Sequence, residues 1–276
     1  MKFENVTVFC FLASYTLAFL LELSQFVKRS AVVRWGTLGF ATAGLLAQTI
    51  YLVVRSRQLD LPPLLGSTHD WFLVLTWLTI ALYICIQIWN RELSIGIFVL
   101  PLALILVVAS RYVNQTANPR ILTGYWWSLF HASLWVFGML SLSLALLVSL
   151  MYLLQHYRLK HKKAELPALH LLSLERLGRL NWWLVVISVP LLTLGMGTGL
   201  YMSYLASKTA QPVSLANVTF LTIAVMWTAM AMLFGWLLVA KHATGRLVAI
   251  RTLLACTFWL IALLVIKLLT ADGIHA

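Results

Sequence analysis

Trp127, His131 and Trp135 follow one another at i, i+4 and i+8, so on a helix they set one imidazole between two indoles on a single face. Neutral imidazole is a common axial ligand of haem iron, and flat apolar side chains hold a porphyrin ring. An interfacial histidine hydrogen-bonded to a neighbouring helix would use the same spacing with no ligand. His275, in the tail Ala271-Asp-Gly-Ile-His-Ala276, is expected on the same side of the membrane as His131. It would offer the iron a second imidazole if the two helices pack together, although fraying is the ordinary expectation for such a tail. His242, in Lys241-His-Ala-Thr-Gly-Arg246, falls at the opposite membrane face, as an interfacial residue or as a further haem contact. The expected metal ligands are therefore His131 and His275, and the expected cofactor is a non-covalent haem.

The run Leu191-Leu-Thr-Leu-Gly-Met-Gly-Thr-Gly199 supplies small residues. Gly195 and Gly199 form a GxxxG pair that lets a neighbouring helix approach closely, and their missing side chains would also leave room for a flat ligand. The run follows no strand, which argues against a nucleotide-binding loop. Pro190 is expected to kink its span. Glu22 reads as an interface group near Lys28 and Arg29 rather than as a proton relay, although carboxylates inside membranes are expensive and often functional. No paired intramembrane carboxylates, Ser-His-Asp set, HExxH or P-loop is present, so a hydrolase or an ATP-driven pump is disfavoured and no catalytic residue is assigned. Cys10, Cys85 and Cys256 lie far apart inside apolar runs, with no CxxC or CxxCH. Neither a thiol-redox pair nor covalent haem attachment is indicated.

These residues must be held by elements suited to lipid. With 62% hydrophobic and 10% charged residues, a 276-residue chain cannot hide its apolar surface in a water-soluble globule, and it belongs in a bilayer. A span takes roughly 20 apolar residues. The runs Asn5 to Phe26, Trp35 to Val54, Trp71 to Trp89, Ser94 to Ser110, Trp126 to Gln155, Trp182 to Tyr204, Leu215 to Ala240 and Leu247 to Thr270 predict an all-α polytopic transmembrane bundle of about eight spans. Residues 1–276 are expected to form a single transmembrane domain, with the first four spans in 1–110 and the remaining four in 126–276. The first run lacks a small-residue cleavage pattern and is expected to stay in the mature protein.

The net charge of +12 would suggest nucleic acid in a soluble protein. Here the basic residues lie between spans, so lipid is the expected partner and nucleic acid is not. Lys28, Arg29 and Arg34, then Arg91, the linker from Arg158 to Arg179, and Lys241 to Arg251 hold most of the basic residues. The positive-inside rule puts those loops in the cytoplasm and both termini outside. Trp71, Trp126 and Trp127 then mark the outer interface, and Trp35, Trp89, Trp182 and Trp183 the inner one. The loop from Leu59 to Asp70, with Pro62 and Pro63, reads as irregular. The inner linker from Tyr157 to Asn181 reads as a basic anchor whose second half could form an amphipathic surface helix.

The order of features resembles the cytochrome c assembly membrane protein family, in its CcsA/HemX-like branch. The residues that carry the resemblance are His131 at the outer start of a long helix, Leu174-Glu-Arg-Leu177 just before a span, Pro190-Leu-Leu-Thr-Leu-Gly-Met-Gly-Thr-Gly199, similar to that family's P-L-L-T-x-G-x-x-x-G segment, and the closing hairpin from Asn217 to Thr270. The resemblance implies haem handling in c-type cytochrome maturation or haem metabolism. His131 then matches the first external histidine, His275 resembles the second, and His242 looks like the histidine closing the preceding span. Partners would be other cytochrome c assembly or haem-pathway membrane proteins, and the location a bacterial cytoplasmic membrane. Between Tyr201 and Asn217 there is no tryptophan and no aspartate, so the family's W-G-x-x-W-x-W-D haem-presenting loop is absent, which favours the HemX-like branch. The expected role is to bind, position or help deliver haem, with no bond-making by the protein. Two alternatives are a membrane transporter and a ligand-free scaffold subunit.

Overall fold

The computed structural model describes residues 6–25, 30–90, 93–116, 124–161, 171–207 and 245–272, with scattered helical positions between 225 and 235. For residues 203, 206, 207, 259 and 262–272 the description covers the backbone alone. Among the described residues the chain is all-helical and has no strand. Its helices are α1 (Val8–Ser24), α2 (Ala31–Leu59), α3 (Pro63–Gly66), α4 (Thr68–Trp89), α5 (Gly96–Ser110), α6 (Tyr125–Lys160), α7 (Leu174–Ser207) and α8 (Gly245–Asp272). Four segments, Ala31–Leu59, Thr68–Trp89, Tyr125–Lys160 and Leu174–Met202, are long and apolar enough to cross a membrane, and α1 and α5 are shorter apolar helices. A helical membrane protein is what the composition implied.

The chain divides into two compact units, residues 1–117 with 158–172, and residues 118–157 with 173–276. In the first unit α1 and α4 each pack along both α2 and α5. The reason is visible in the spacing. Val8, Phe11, Tyr15, Ala18 and Glu22 form the buried stripe of α1, and His69, Leu73, Thr76, Ile80, Tyr83 and Gln87 are buried along α4. Steps of three and four keep each set on one face.

That interior is partly polar, and its polar groups are paired. The Tyr15 hydroxyl donates to Gln48 Oε1 at 2.6 Å, and Gln48 Nε2 donates to the Leu73 carbonyl at 3.0 Å. Gly44 gives the phenol its place, because a Cβ there would lie 2.5 Å from Tyr15 Cε1. The hydroxyls of Thr76 and Thr79 bond back to the Phe72 and Leu75 carbonyls of their own helix.

The segment between α2 and α4 is more ordered than its prolines suggest. Asp60 ends α2 in the left-handed region at φ 52, Pro63 opens α3, and the Ser67 side chain caps α4 by accepting from the Asp70 N–H at 3.2 Å. Proline at a first helical position and serine at an N-cap are both helix-starting signals.

In the second unit α6 and α7 form an antiparallel pair. Trp127 meets Tyr201, His131 meets Thr198, Trp135 meets Gly195, Gly138 meets Leu192, Ser149 meets Asn181 and Tyr152 meets Gly178. Each advance along α6 is matched by an equal retreat along α7, so one register holds over the whole pair. α7 runs unbroken through Pro190. It starts at Leu174, so the end of the basic linker, from Leu174 to Asn181, is the opening turns of α7. Leu177 is buried there, and the exposed Arg179 donates to Glu175 at 2.7 Å.

The two helices are longer than a bilayer core. At 1.5 Å per residue α6 is about 54 Å long and α7 about 51 Å, against roughly 30 Å of hydrocarbon. Exposed aromatics mark the crossing. Tyr125, Trp126, Trp127, Tyr201 and Tyr204 ring one end of the pair, and Trp182 and Trp183 the other. Along α7, Trp182 and Tyr201 are about 29 Å apart, the separation expected of two aromatic belts.

Candidate functional site: the His131 face of the second unit

Gly124 opens α6. Its φ of +97 is a backbone conformation suited to glycine, and its carbonyl accepts from the Ser128 N–H at 3.2 Å. One turn on, the Trp127 ring lies 5.4 Å from Tyr201 between centroids. A further turn brings His131, half-buried, with Nδ1 at 2.9 Å from Thr198 Oγ1. Trp135 follows, edge-on to the imidazole at 6.3 Å. The i, i+4, i+8 face expected from sequence is thus assembled.

One tautomer satisfies both contacts of Thr198 at once. Thr198 Oγ1 donates to the Gly195 carbonyl at 2.9 Å. A hydroxyl has one proton, so the Nδ1 contact is met by an imidazole that donates N–H to Thr198. Neutral His131 then keeps its lone pair on Nε2. A metal-ligating histidine is arranged in the same way, with its other ring nitrogen donating to a neighbouring group that fixes tautomer and ring orientation.

Gly195 and Gly199 do what small residues do between helices. A Cβ on Gly199 would lie 3.0 Å from His131 Cε1, and one on Gly195 would lie 3.0 Å from both Cδ1 and Nε1 of Trp135. The space left by each glycine is taken by the α6 ring opposite it. Gly197, between them, has nothing within 4 Å of its Cβ position.

The other histidines sort differently. His69 has both ring nitrogens committed: Nδ1 donates to the Ser110 carbonyl at 2.7 Å, and Nε2 meets the Tyr51 hydroxyl at 3.1 Å. His156 stacks on Tyr152 with 9° between the planes. His242 and His275 lie outside the described residues, and so does the pairing of His131 with His275. Among the described residues no group of three or more His, Cys, Asp or Glu could hold a metal ion.

Two polar clusters go beyond the sequence reading. At one end of the first unit the Arg55 guanidinium pairs through Nε with Asp70 Oδ1 and donates to the Gln115 carbonyl at 2.7 Å, while the Ser67 hydroxyl donates to Asp70 Oδ2 at 2.7 Å. Asp70 is almost wholly buried. The signal available in sequence was Ser67-x-x-Asp70, the spacing of a capping box. In the second unit Ser149 Oγ donates to Asn181 Oδ1 at 3.0 Å and Asn181 Nδ2 donates to Thr252 Oγ1 at 3.2 Å, which ties α6, α7 and α8 through three buried side chains. Comparison of the chain with protein-family models, with curated proteins and with solved structures finds no match.

Proposed function

We propose that this is a polytopic membrane protein of the CcsA/HemX-like kind that binds and positions haem for cytochrome c maturation or haem metabolism, without the tryptophan-rich presenting loop. One observation carries the reading: His131 Nδ1 lies 2.9 Å from Thr198 Oγ1, which itself reaches the Gly195 carbonyl at 2.9 Å, and with the Thr198 proton on that carbonyl Nδ1 is the donor and Nε2 the acceptor. His131 would hold the iron, and Trp127 and Tyr201 would meet the ring. Bound there, haem would supply an iron that takes an axial nitrogen and a flat ring that takes apolar contact.

The chain's part is to hold and orient. Thr198 fixes the imidazole, and Trp127 and Tyr201 offer aromatic surface one turn nearer the belt. In this reading the basic loops face the cytoplasm of a bacterial inner membrane, and His131 belongs to the outer leaflet of a bundle of about eight spans with both termini outside. His275 would be the second residue to hold the iron, and other haem-pathway membrane proteins are the partners that would receive or supply the group.

A ligand-free scaffold is the second reading, favoured by the fact that the His131 ring fills the space at Gly199. The purified protein separates the two. After haem loading, the first reading expects a Soret band that is lost or strongly weakened in His131→Ala. A folded protein with no band after loading would remove haem binding, and stable co-purifying partners without a chromophore would favour the scaffold.

A further inference from the structure

The end of the second unit where α7 and α8 begin has no part in the site above, and it is basic. Two sets of contacts fix the level of α8 against α7. The buried Asn181 Nδ2 donates to Thr252 Oγ1 at 3.2 Å. Tyr152 of α6 lies against the first turns of both helices, since a Cβ on Gly178 would be 3.7 Å from its Cε2 and one on Gly245 would be 3.0 Å from its Cζ. The two helices therefore start at the same end of the unit. At 1.5 Å per residue Arg176 lies about 7.5 Å before Asn181, and Arg246 about 9 Å before Thr252. Two arginines from different helices thus stand at one level, about 9 Å beyond Trp182 of the aromatic belt.

Arg176 and Arg246 are exposed, and among the described residues neither takes part in a salt bridge. Arg179, nearer the belt, is held by Glu175 at 2.7 Å, so that pair adds little net charge. Exposed apolar side chains follow on the membrane side: Leu180, Trp182 and Trp183 along α7, and Leu247 along α8. Each helix shows a guanidinium outermost and apolar surface behind it, which is the order of a phospholipid's own parts. Interfacial tryptophan sits at headgroup level, so cations a turn or two beyond it stand among the phosphates. The N-terminal ends of α7 and α8 face the same way and add partial positive charge. Charge then chooses among lipids. In phosphatidylcholine a choline cation offsets the phosphate, whereas phosphatidylglycerol keeps a net negative charge, and basic residues just beyond a span attract anionic lipid.

We propose that the first turns of α7 and α8 form a docking surface for anionic phospholipid. Arg176 and Arg246 meet the headgroup phosphates, and Leu180, Trp182, Trp183 and Leu247 meet the glycerol and the chains. Composition requires only a bilayer around this chain. Two arginines without a counter-charge at one level, backed by apolar surface, select a kind of lipid within it. The surface is independent of any haem chemistry at His131.

Electron paramagnetic resonance of the full chain in phosphatidylcholine liposomes tests this, with spin-labelled phosphatidylglycerol and spin-labelled phosphatidylcholine as the probes. The wild type is expected to hold a larger share of the phosphatidylglycerol than of the phosphatidylcholine in the motionally restricted population. Arg176→Gln combined with Arg246→Gln should lose most of that preference. Arg57→Gln combined with Arg111→Gln removes the same charge from exposed positions of the first unit and should keep it. A wild type with no preference for phosphatidylglycerol overturns the proposal. So does an equal loss in the two double variants, since net charge alone is then the cause. Should the first double variant fail to insert, the single variants decide: Arg176→Gln and Arg246→Gln are each expected to lose part of the preference, and two singles that match the wild type overturn the surface.

Discussion

Three glycines in one stretch of α7 allow a matched experiment on the His131 site. Alanine at 195, 197 or 199 gains the same helix propensity, up to about 1 kcal/mol, so that contribution cancels between variants. What remains is the contact. At 197 the new methyl meets nothing within 4 Å, whereas at 199 it sits 3.0 Å from His131 Cε1 and at 195 it sits 3.0 Å from the Trp135 ring. Overpacking of this kind costs about 1–3 kcal/mol. The imidazole cannot swing away freely, because doing so breaks its bond to Thr198, itself worth about 0.5–1.5 kcal/mol. Gly199→Ala and Gly195→Ala should therefore be about 1–3 kcal/mol less stable than Gly197→Ala. Reversible unfolding in mixed micelles measures the differences. A cycle with His131→Ala localises the cause, since removing the ring should abolish the penalty at 199 and leave the one at 195. The packing argument fails if Gly199→Ala is as stable as Gly197→Ala, or if its penalty survives loss of the imidazole.

Other perturbations read other parts of the molecule. Asn181→Ala removes hydrogen bonds to both Ser149 and Thr252; at about 0.6 and up to about 1.7 kcal/mol each in membrane proteins, the loss should appear as a lower unfolding midpoint in the same assay. Asp70→Ala leaves the Arg55 guanidinium without its counter-charge in a largely buried setting, and breaking such a pair costs about 3–5 kcal/mol; Arg55→Met with Asp70→Leu should recover part of that, and a double variant no better than the single would count against a buried pair. Tyr15→Phe strips Gln48 Oε1 of its donor and should cost about 1–3 kcal/mol, while Arg179→Ala, which breaks an exposed pair with Glu175, should leave stability unchanged.

How much of this was legible in the sequence depends on whether the signal was local. Helix position was legible, because length and apolar content are properties of a continuous segment: Thr68–Trp89 and Gly96–Ser110 lie within a few residues of the runs Trp71 to Trp89 and Ser94 to Ser110. The ends were less so. α2 continues to Leu59 and α7 begins at Leu174, both in polar sequence that hydropathy places outside a membrane, since helical hydrogen bonding does not stop where lipid does. The face that joins Trp127, His131 and Trp135 followed from 3.6-residue periodicity alone.

The sequence by itself determined that this chain is a helical membrane protein and that one imidazole lies among indoles near an aromatic belt. Both follow from composition and from spacing along a single helix. Only the tertiary structure decided what that imidazole touches, because Thr198 and Gly199 reach it from another helix far along the chain. The same is true of Glu22, an interface group by its position in sequence and a buried side chain once Gly96 of another helix packs against it. Hydrophobic patterning records which face turns inward, but the partner of a polar side chain is set by the register between helices, and no single helix contains that.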